Sequence, residues 1–231
     1  MCNPREGASD IPEDKRHELL IDMGTFLVEA AKARRENPRG DVLSILSTAS
    51  IDGDMLSDAE LVMFLIQLLV AGNETTRNLM SGLLVAFAEH QDQWRAVVEH
   101  PELLALAVEE GLRWTSPVIS FMRTATKDTQ VGNYLVRANE PVIVVFASAN
   151  RDEDVFGPTA NGFRVDRDPN PHVAFGFGNH FCLGSSLARL EARVLLEEMR
   201  ERYRALNLVG PTCRSESSVV SGITRAEIVF S

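Results

Sequence analysis

Ten consecutive residues, Phe175-Gly-Phe-Gly-Asn-His-Phe-Cys-Leu-Gly184, constrain this chain more than any other stretch of it. They run straight into a segment of helical periodicity. Gly176, Gly178 and Gly184 carry no side chain to obstruct a close approach by something flat and bulky. Cys182 therefore stands in a loop just ahead of a helix N-terminus. Unpaired backbone N–H groups and the positive end of the helix dipole favour a thiolate there. The pattern predicts a single thiolate, cradled by backbone on one side and exposed on the other.

Such a thiolate suits an axial ligand for haem iron. Two other glycine-loop chemistries fail on residue type. A phosphate-binding loop needs a Gly-Lys-Ser/Thr ending, and a dinucleotide fingerprint needs glycine where Phe181 stands. A helix-entry loop with an incidental buried cysteine is the plain alternative, and for a lone cysteine near glycine it is the commoner one. The whole pattern, however, resembles the haem-thiolate signature of the cytochrome P450 family, Phe-x-x-Gly-x-His/Arg-x-Cys-x-Gly. The resemblance implies haem b (iron protoporphyrin IX) as cofactor and Cys182 as the iron ligand. Phe175 would pack on the proximal haem face, with Gly176 and Gly184 flanking the ligand.

Composition sets bounds rather than function. With 231 residues, 45% of them hydrophobic, the chain can bury a good core as one or two domains. A net charge of −10 argues against nucleic acid and against an anionic membrane surface as partners. Cys2, Cys182 and Cys213 are odd in number and far apart. They make neither a disulfide framework nor a zinc spacing, which fits a cytoplasmic location. The first ten residues are polar and lack the apolar core of a signal peptide. The longest apolar run, 61–71, contains Gln67 and falls short of the roughly 20 residues a bilayer requires, so no membrane span is expected.

Periodicity predicts a mainly α chain with a minor β region. Apolar spacing over 18–35 reads as a helix that Asn37-Pro-Arg-Gly40 stops, and Asp41 can cap a short helix through Leu46. Residues 50–54 read as a turn. Ser57-Asp-Ala-Glu60 is a capping box opening a helix to about Ala88, buried on most sides by its density of apolar residues. Further helices are expected over 91–98 and, from Pro101, to Trp114. Residues 118–146 are rich in Val, Ile, Thr and Phe and read as short strands, Pro141-Val-Ile-Val-Val-Phe146 foremost. Residues 150–171 form an irregular meander. The helix after Cys182 carries Leu183, Leu187, Leu190, Val194, Leu195 and Met199 on one face. Residues 206–230 return to strands and turns.

Three smaller constellations gain meaning beside the cysteine loop. Ala71-Gly-Asn-Glu-Thr-Thr76 is a polar break inside an apolar helix. Alone it reads as a junction or a bend made by back-bonding threonines. It resembles the family's Ala/Gly-Gly-x-Asp/Glu-Thr motif, which implies a local opening of the helix at Ala71-Gly72 and proton delivery by Glu74 and Thr75. Glu110-Gly-Leu-Arg113 is by itself an ordinary i,i+3 pair. The resemblance makes it a structural network with a third member from the meander, Arg167 by its distance from the cysteine, with Arg164 as the other candidate. Arg123, in Arg-x-Ala-x-x-Asp128, and His180 would meet the haem propionates.

The resemblance covers residues 40–231 and looks closest to the soluble bacterial branch, from Asn170-Pro-His-Val-Ala-Phe-Gly-Phe-Gly. One turn departs from it: the usual Pro-Ala-Gly is Arg137-Ala-Asn139 here. The expectation is the C-terminal part of a cytochrome P450 fold, with residues 41–231 binding haem and 1–40 a remnant of the helices that roof the pocket or an N-terminal tail. A large N-terminal portion of the family pattern is not matched. The implied activity is insertion of one oxygen atom of O2 into a lipophilic organic substrate. Electrons would come from a ferredoxin or flavodoxin type donor, since no flavin or nicotinamide motif is present. The alternative is a truncated or split-gene fragment, haem-binding or haem-free, inactive on its own. Three apolar segments, 63–70, 118–122 and 219–223, are the expected substrate walls.

Overall fold

The computed structural model describes residues 11–231. The readings of the first ten residues, Cys2 among them, lie outside the described residues. Helices dominate: α1 (Glu13–Glu36), α2 (Val42–Thr48), α3 (Asp58–Glu89), α4 (Gln91–Glu99), α5 (Leu104–Thr115), the short α6 (Phe146–Ala149) and α7 (Glu153–Phe156), and α8 (Ser185–Arg202). Among the described residues the β part consists of five two-stranded antiparallel pairs. The longest joins β3 (Ser120–Thr124) to β6 (Pro141–Val145), with Arg123 opposite Val142. No helix of the described residues is long and apolar enough to cross a membrane.

Local chemistry explains the helix starts. Ser57 and Glu60 exchange bonds: the Glu60 carboxylate accepts from the Ser57 N–H at 2.9 Å, and Ser57 Oγ accepts from the Glu60 N–H at 3.3 Å. That reciprocal pair opens α3. The Asp41 carboxylate accepts from the Ser44 N–H at 2.8 Å at the start of α2. Residues 50–54, expected as a turn, belong to a small hairpin of β1 (Ser50–Ile51) and β2 (Asp54–Met55) turning on Asp52-Gly53, both at positive φ. Asn139 also lies at positive φ (69°), so it does the work of the glycine that the family turn carries there.

The chain divides into two compact units. One runs from Thr75 to Ser231, and the other ends at Glu74. In the larger unit Leu79, Leu83 and Phe87 of α3, Trp94 of α4, Leu112 of α5 and Leu196 of α8 share one core. Phe87 meets Trp94 and Phe163 edge-on at 5.1 and 5.4 Å. Gly111 lets α5 close on α3, because a Cβ there would strike the Leu83 side chain. The smaller unit has its own cluster, Leu27 and Ala31 of α1 with Leu61 and Leu65 of α3.

Of the apolar face read after Cys182, Leu183, Leu187, Leu190 and Val194 are exposed and Met199 is buried, together with Ala192 and Leu196 of α8. The helix has apolar residues on two faces, and the longer stripe is the open one. Likewise the N-terminal half of α3 is not covered on most sides, since Met63, Phe64, Leu69 and Val70 are exposed. The segment around Phe146 was also expected as strand, but β6 ends at Val145 and Phe146 opens α6.

Candidate functional site

The cysteine loop is a folded-back turn. The Cys182 N–H donates to the Phe175 carbonyl at 3.0 Å, and the Phe181 N–H to the Gly178 carbonyl at 3.0 Å. Gly176 and Gly178 sit at φ +68° and +66°, a region that costs any residue with a Cβ about 1–2 kcal/mol. This is why glycine stands at both places. Gly178–His180 forms one 3-10 turn, and the Ser185 N–H donates to the Cys182 carbonyl at 3.3 Å as α8 begins. Cys182 is a free, half-buried cysteine one turn ahead of that N-terminus. The residues beside it are apolar and open: Leu183 is 81% exposed and Phe177 71%. A Cβ built on Gly178 or Gly184 would meet nothing within 4 Å.

A buried ion network stands under the loop's approach. The Glu110 carboxylate accepts from Arg113 Nε and Nη2 at 2.7 and 2.8 Å, and from Arg167 Nε at 3.0 Å. The Arg164 N–H and Asn170 Nδ2 complete the set at 2.8 and 3.2 Å. Arg113 also donates to the carbonyls of Asn150, Ala160 and Gly162, and Arg167 to those of Thr159 and Gly162. Glu110 and Arg113 are fully buried, and Arg167 nearly so. The Arg164 guanidinium instead pairs with Asp166 at the surface. Every chain carbonyl in the network belongs to the meander or its entry, so the charges fix the path leading to the cysteine.

A second network was missed by sequence reasoning. The Glu109 carboxylate takes Arg189 Nε and Nη2 at 2.7 and 2.8 Å and His172 Nε2 at 3.0 Å. The Arg189 guanidinium lies 4.6 Å over the Phe175 ring. Partial burial pushes the Glu109 pKa up, but the hydrogen bonds and charges of Arg189 and His172 outweigh it and hold it at about 2. This ties α5, the meander and α8 to the ring that opens the cysteine loop. Its members are 63 and 80 residues apart in sequence. The signals were faint: a second glutamate beside Glu110, and the histidine of Asn170-Pro-His172.

The other expected residues are placed as follows. Arg123 is exposed on β3, with Nη1 on the Met122 carbonyl at 3.0 Å and its guanidinium 5.9 Å from the Phe121 ring centre. His180 is exposed within the 3-10 turn. Ala71 and Glu74 are exposed and Thr75 is half-buried on α3. The expected opening of the helix at Ala71-Gly72 is corrected: α3 is continuous from Asp58 to Glu89. Successive N–H to C=O bonds carry the chain across the polar break.

Residues 13–225 match the family model for cytochrome P450. The chain belongs to the cytochrome P450 family. A steroid C26-monooxygenase of Mycolicibacterium smegmatis is 44% identical over 207 residues, covering 89% of this chain and 51% of that protein. Linalool 8-monooxygenase of Pseudomonas putida is 37% identical over 219 residues, covering 95% of this chain and 53% of the relative. Among solved structures, CYP109E1 of Bacillus megaterium in complex with testosterone superposes with a TM-score of 0.86 at 34% identity, over 94% of this chain and 60% of that one. The chain thus spans about half the length of the relatives it matches. It carries a mainly α partial cytochrome P450 fold with a minor β part, and the family is one of haem proteins.

The residues present fit a haem. A half-exposed thiol is flanked by open apolar side chains, Phe177, Phe181 and Leu183. Glycines leave clear space above the loop backbone. Exposed Arg123 and His180 supply donors suited to an anionic rim.

Proposed function

We propose that residues 41–231 are the haem-binding part of a cytochrome P450 monooxygenase acting on a lipophilic organic substrate. The observation that carries this is Cys182: a free thiol, glycine-turned, ahead of a helix N-terminus and open toward apolar surface. Bound haem b supplies the iron at which O2 is activated for insertion of one oxygen atom into the substrate. The protein's part is to hold and protect. Cys182 Sγ would hold the iron from its place ahead of the α8 N-terminus. Phe175, pinned by Arg189, packs under it with Gly176 and Gly184. Arg123 and His180 hold the propionates. Ala71 would line the cofactor's pocket, and Thr75 Oγ1 and the Glu74 carboxylate would supply protons.

Electrons come from a ferredoxin or flavodoxin type donor in the cytoplasm. The relatives named for steroid and linalool oxidation support a lipophilic substrate, as do the apolar segments 118–122 and 219–223. The test is the carbon-monoxide difference spectrum of the reduced protein. A thiolate-ligated haem gives a strongly red-shifted Soret band, and Cys182→Ala should abolish it while the helical circular dichroism stays. A red-shifted band that survives in Cys182→Ala refutes the assignment.

A second reading rests on the open stripe of α8, Leu183, Leu187, Leu190 and Val194. There the chain turns over only with a separate polypeptide that covers this face. Stoichiometric haem and turnover by the purified chain alone would exclude it.

A further inference from the structure

A cavity of about 410 Å³ lies within the larger unit, away from the loop 175–184 and from residues 71–75. One wall is a face of α3 past Thr75: Asn78, Gly82, Val85, Ala86 and Glu89. The end of α5, with α6 and the residue that follows its C-cap, closes a second side. Arg214 on β8 (Cys213–Arg214) closes a third.

Its polar groups are incompletely used. The Arg151 guanidinium lies flat on Trp114, 3.7 Å from the ring centre, and donates through Nη2 to the Trp114 carbonyl at 3.0 Å. Stacking fixes the plane of the fork, and its remaining N–H groups have no hydrogen-bond or ion-pair partner among the described residues. Arg214 likewise joins no ion pair among them. Burial, then the like charges of Arg113 and Arg214, lower the Arg151 pKa from its ordinary value, opposed by Glu110. Asn78 is 2% exposed, and its Nδ2 has no hydrogen-bond partner. The buried Asn78 donor without an acceptor is costly, the half-buried Arg151 fork keeps N–H groups to offer, and the exposed Arg214 adds a second positive charge beside them, so a negative group is favoured there. Val85, Ala86, Ile119 and Ala147 make the remaining walls apolar.

We propose that this cavity is a second small-molecule site, built for a compact monocarboxylate with an apolar body. The carboxylate would lie between Arg151 and Arg214, with Asn78 Nδ2 donating to an oxygen of the ligand. Glu89 at the same cavity leaves a net charge of one positive among the three charged groups, which matches a monoanion and disfavours a phosphate dianion. The volume falls at the small end of ligand sites, so a body of one ring or a short chain fits. This goes beyond the monooxygenase reading and does not depend on haem being bound.

Trp114 reports the site directly, because the guanidinium that would take the carboxylate is stacked on it. The purified chain is titrated with 4-phenylbutyrate and with its neutral amide, reading tryptophan fluorescence and heat. The acid should bind saturably and change the Trp114 signal, which Trp114→Phe removes. The amide should bind about 10-fold more weakly or worse, the scale of one charge-assisted hydrogen bond. Arg214→Gln, a surface change that leaves the fold intact, should raise the Kd of the acid by a similar factor. Arg151→Gln should do the same, with circular dichroism confirming that it folds. Equal binding of acid and amide, an unchanged Kd in Arg214→Gln, inorganic phosphate binding as tightly as the acid, or no saturation at millimolar concentrations would each overturn the proposal.

Discussion

Replacing Glu110 by glutamine keeps the shape of a side chain that is 0% exposed and removes its charge. The carboxylate accepts five donors, three on Oε2 and two on Oε1. An amide can present an oxygen to one group only. If its NH2 takes the Oε1 position, it faces Arg113 Nη2 and the Arg164 N–H; if it takes the other, it faces Arg113 Nε, Arg167 Nε and Asn170. At least two donors then oppose a donor, and the Arg113 and Arg167 charges stay buried without an anion. Removing one partner of a buried ion pair costs about 3–5 kcal/mol. For a chain of this size that corresponds to a fall in Tm of roughly 6–20 °C. The assay is thermal unfolding followed by circular dichroism, with urea unfolding as a second measure. Arg164→Ala is the contrast: its guanidinium is paired only at the surface, so the change should cost less than about 1 kcal/mol. A Glu110→Gln variant melting within about 3 °C of the parent, or an Arg164→Ala variant as damaged as Glu110→Gln, would refute the network's role.

Two further outcomes follow from the loop and its support. The folded-state pKa of Glu109 is about 2 against an ordinary 4.5, so its stabilising contribution is full above about pH 4.5 and is lost as pH falls toward 2. The stability gap between the parent and Glu109→Gln should therefore shrink through that window, and a gap independent of pH from 6 to 2 would contradict it. Gly176→Ala forces a Cβ into φ +68° without a steric clash, since the nearest atom is the His180 carbonyl oxygen at 3.6 Å. Urea unfolding should show a loss of about 1–2 kcal/mol from strain alone, and an unchanged midpoint would show that the turn relaxes.

What could be read from residues was what depends on near neighbours. The Ser57–Glu60 box, the Asp41 cap and the glycines at 176 and 178 act within a turn of chain, so their chemistry is visible in sequence. The cysteine loop was legible for the same reason, and with it the family. Local pattern did not decide which apolar stripe of α8 would be buried. Leu183, Leu187, Leu190 and Val194 share a face with Met199 by helical spacing, yet only Met199 of these joins Ala192 and Leu196 in the packed face. Burial depends on what the rest of the chain brings alongside. Distance from the cysteine favoured Arg167 over Arg164, three residues away, through the family pattern; the physical reason lies in the meander's path, which puts one guanidinium on Glu110 and pairs the other with Asp166 at the surface. The Glu109, His172 and Arg189 cluster and the Arg151 cavity were invisible for a further reason. Their members come from distant segments, and only tertiary packing brings such charges within 3 Å or strands them without partners. The sequence by itself thus determined the turns, the caps and the place of the Cys182 thiol ahead of a helix, through forces that act over a few residues. The tertiary structure alone decided which charges would be neutralised and which face would be left open, because electrostatics and burial act through space rather than along the chain.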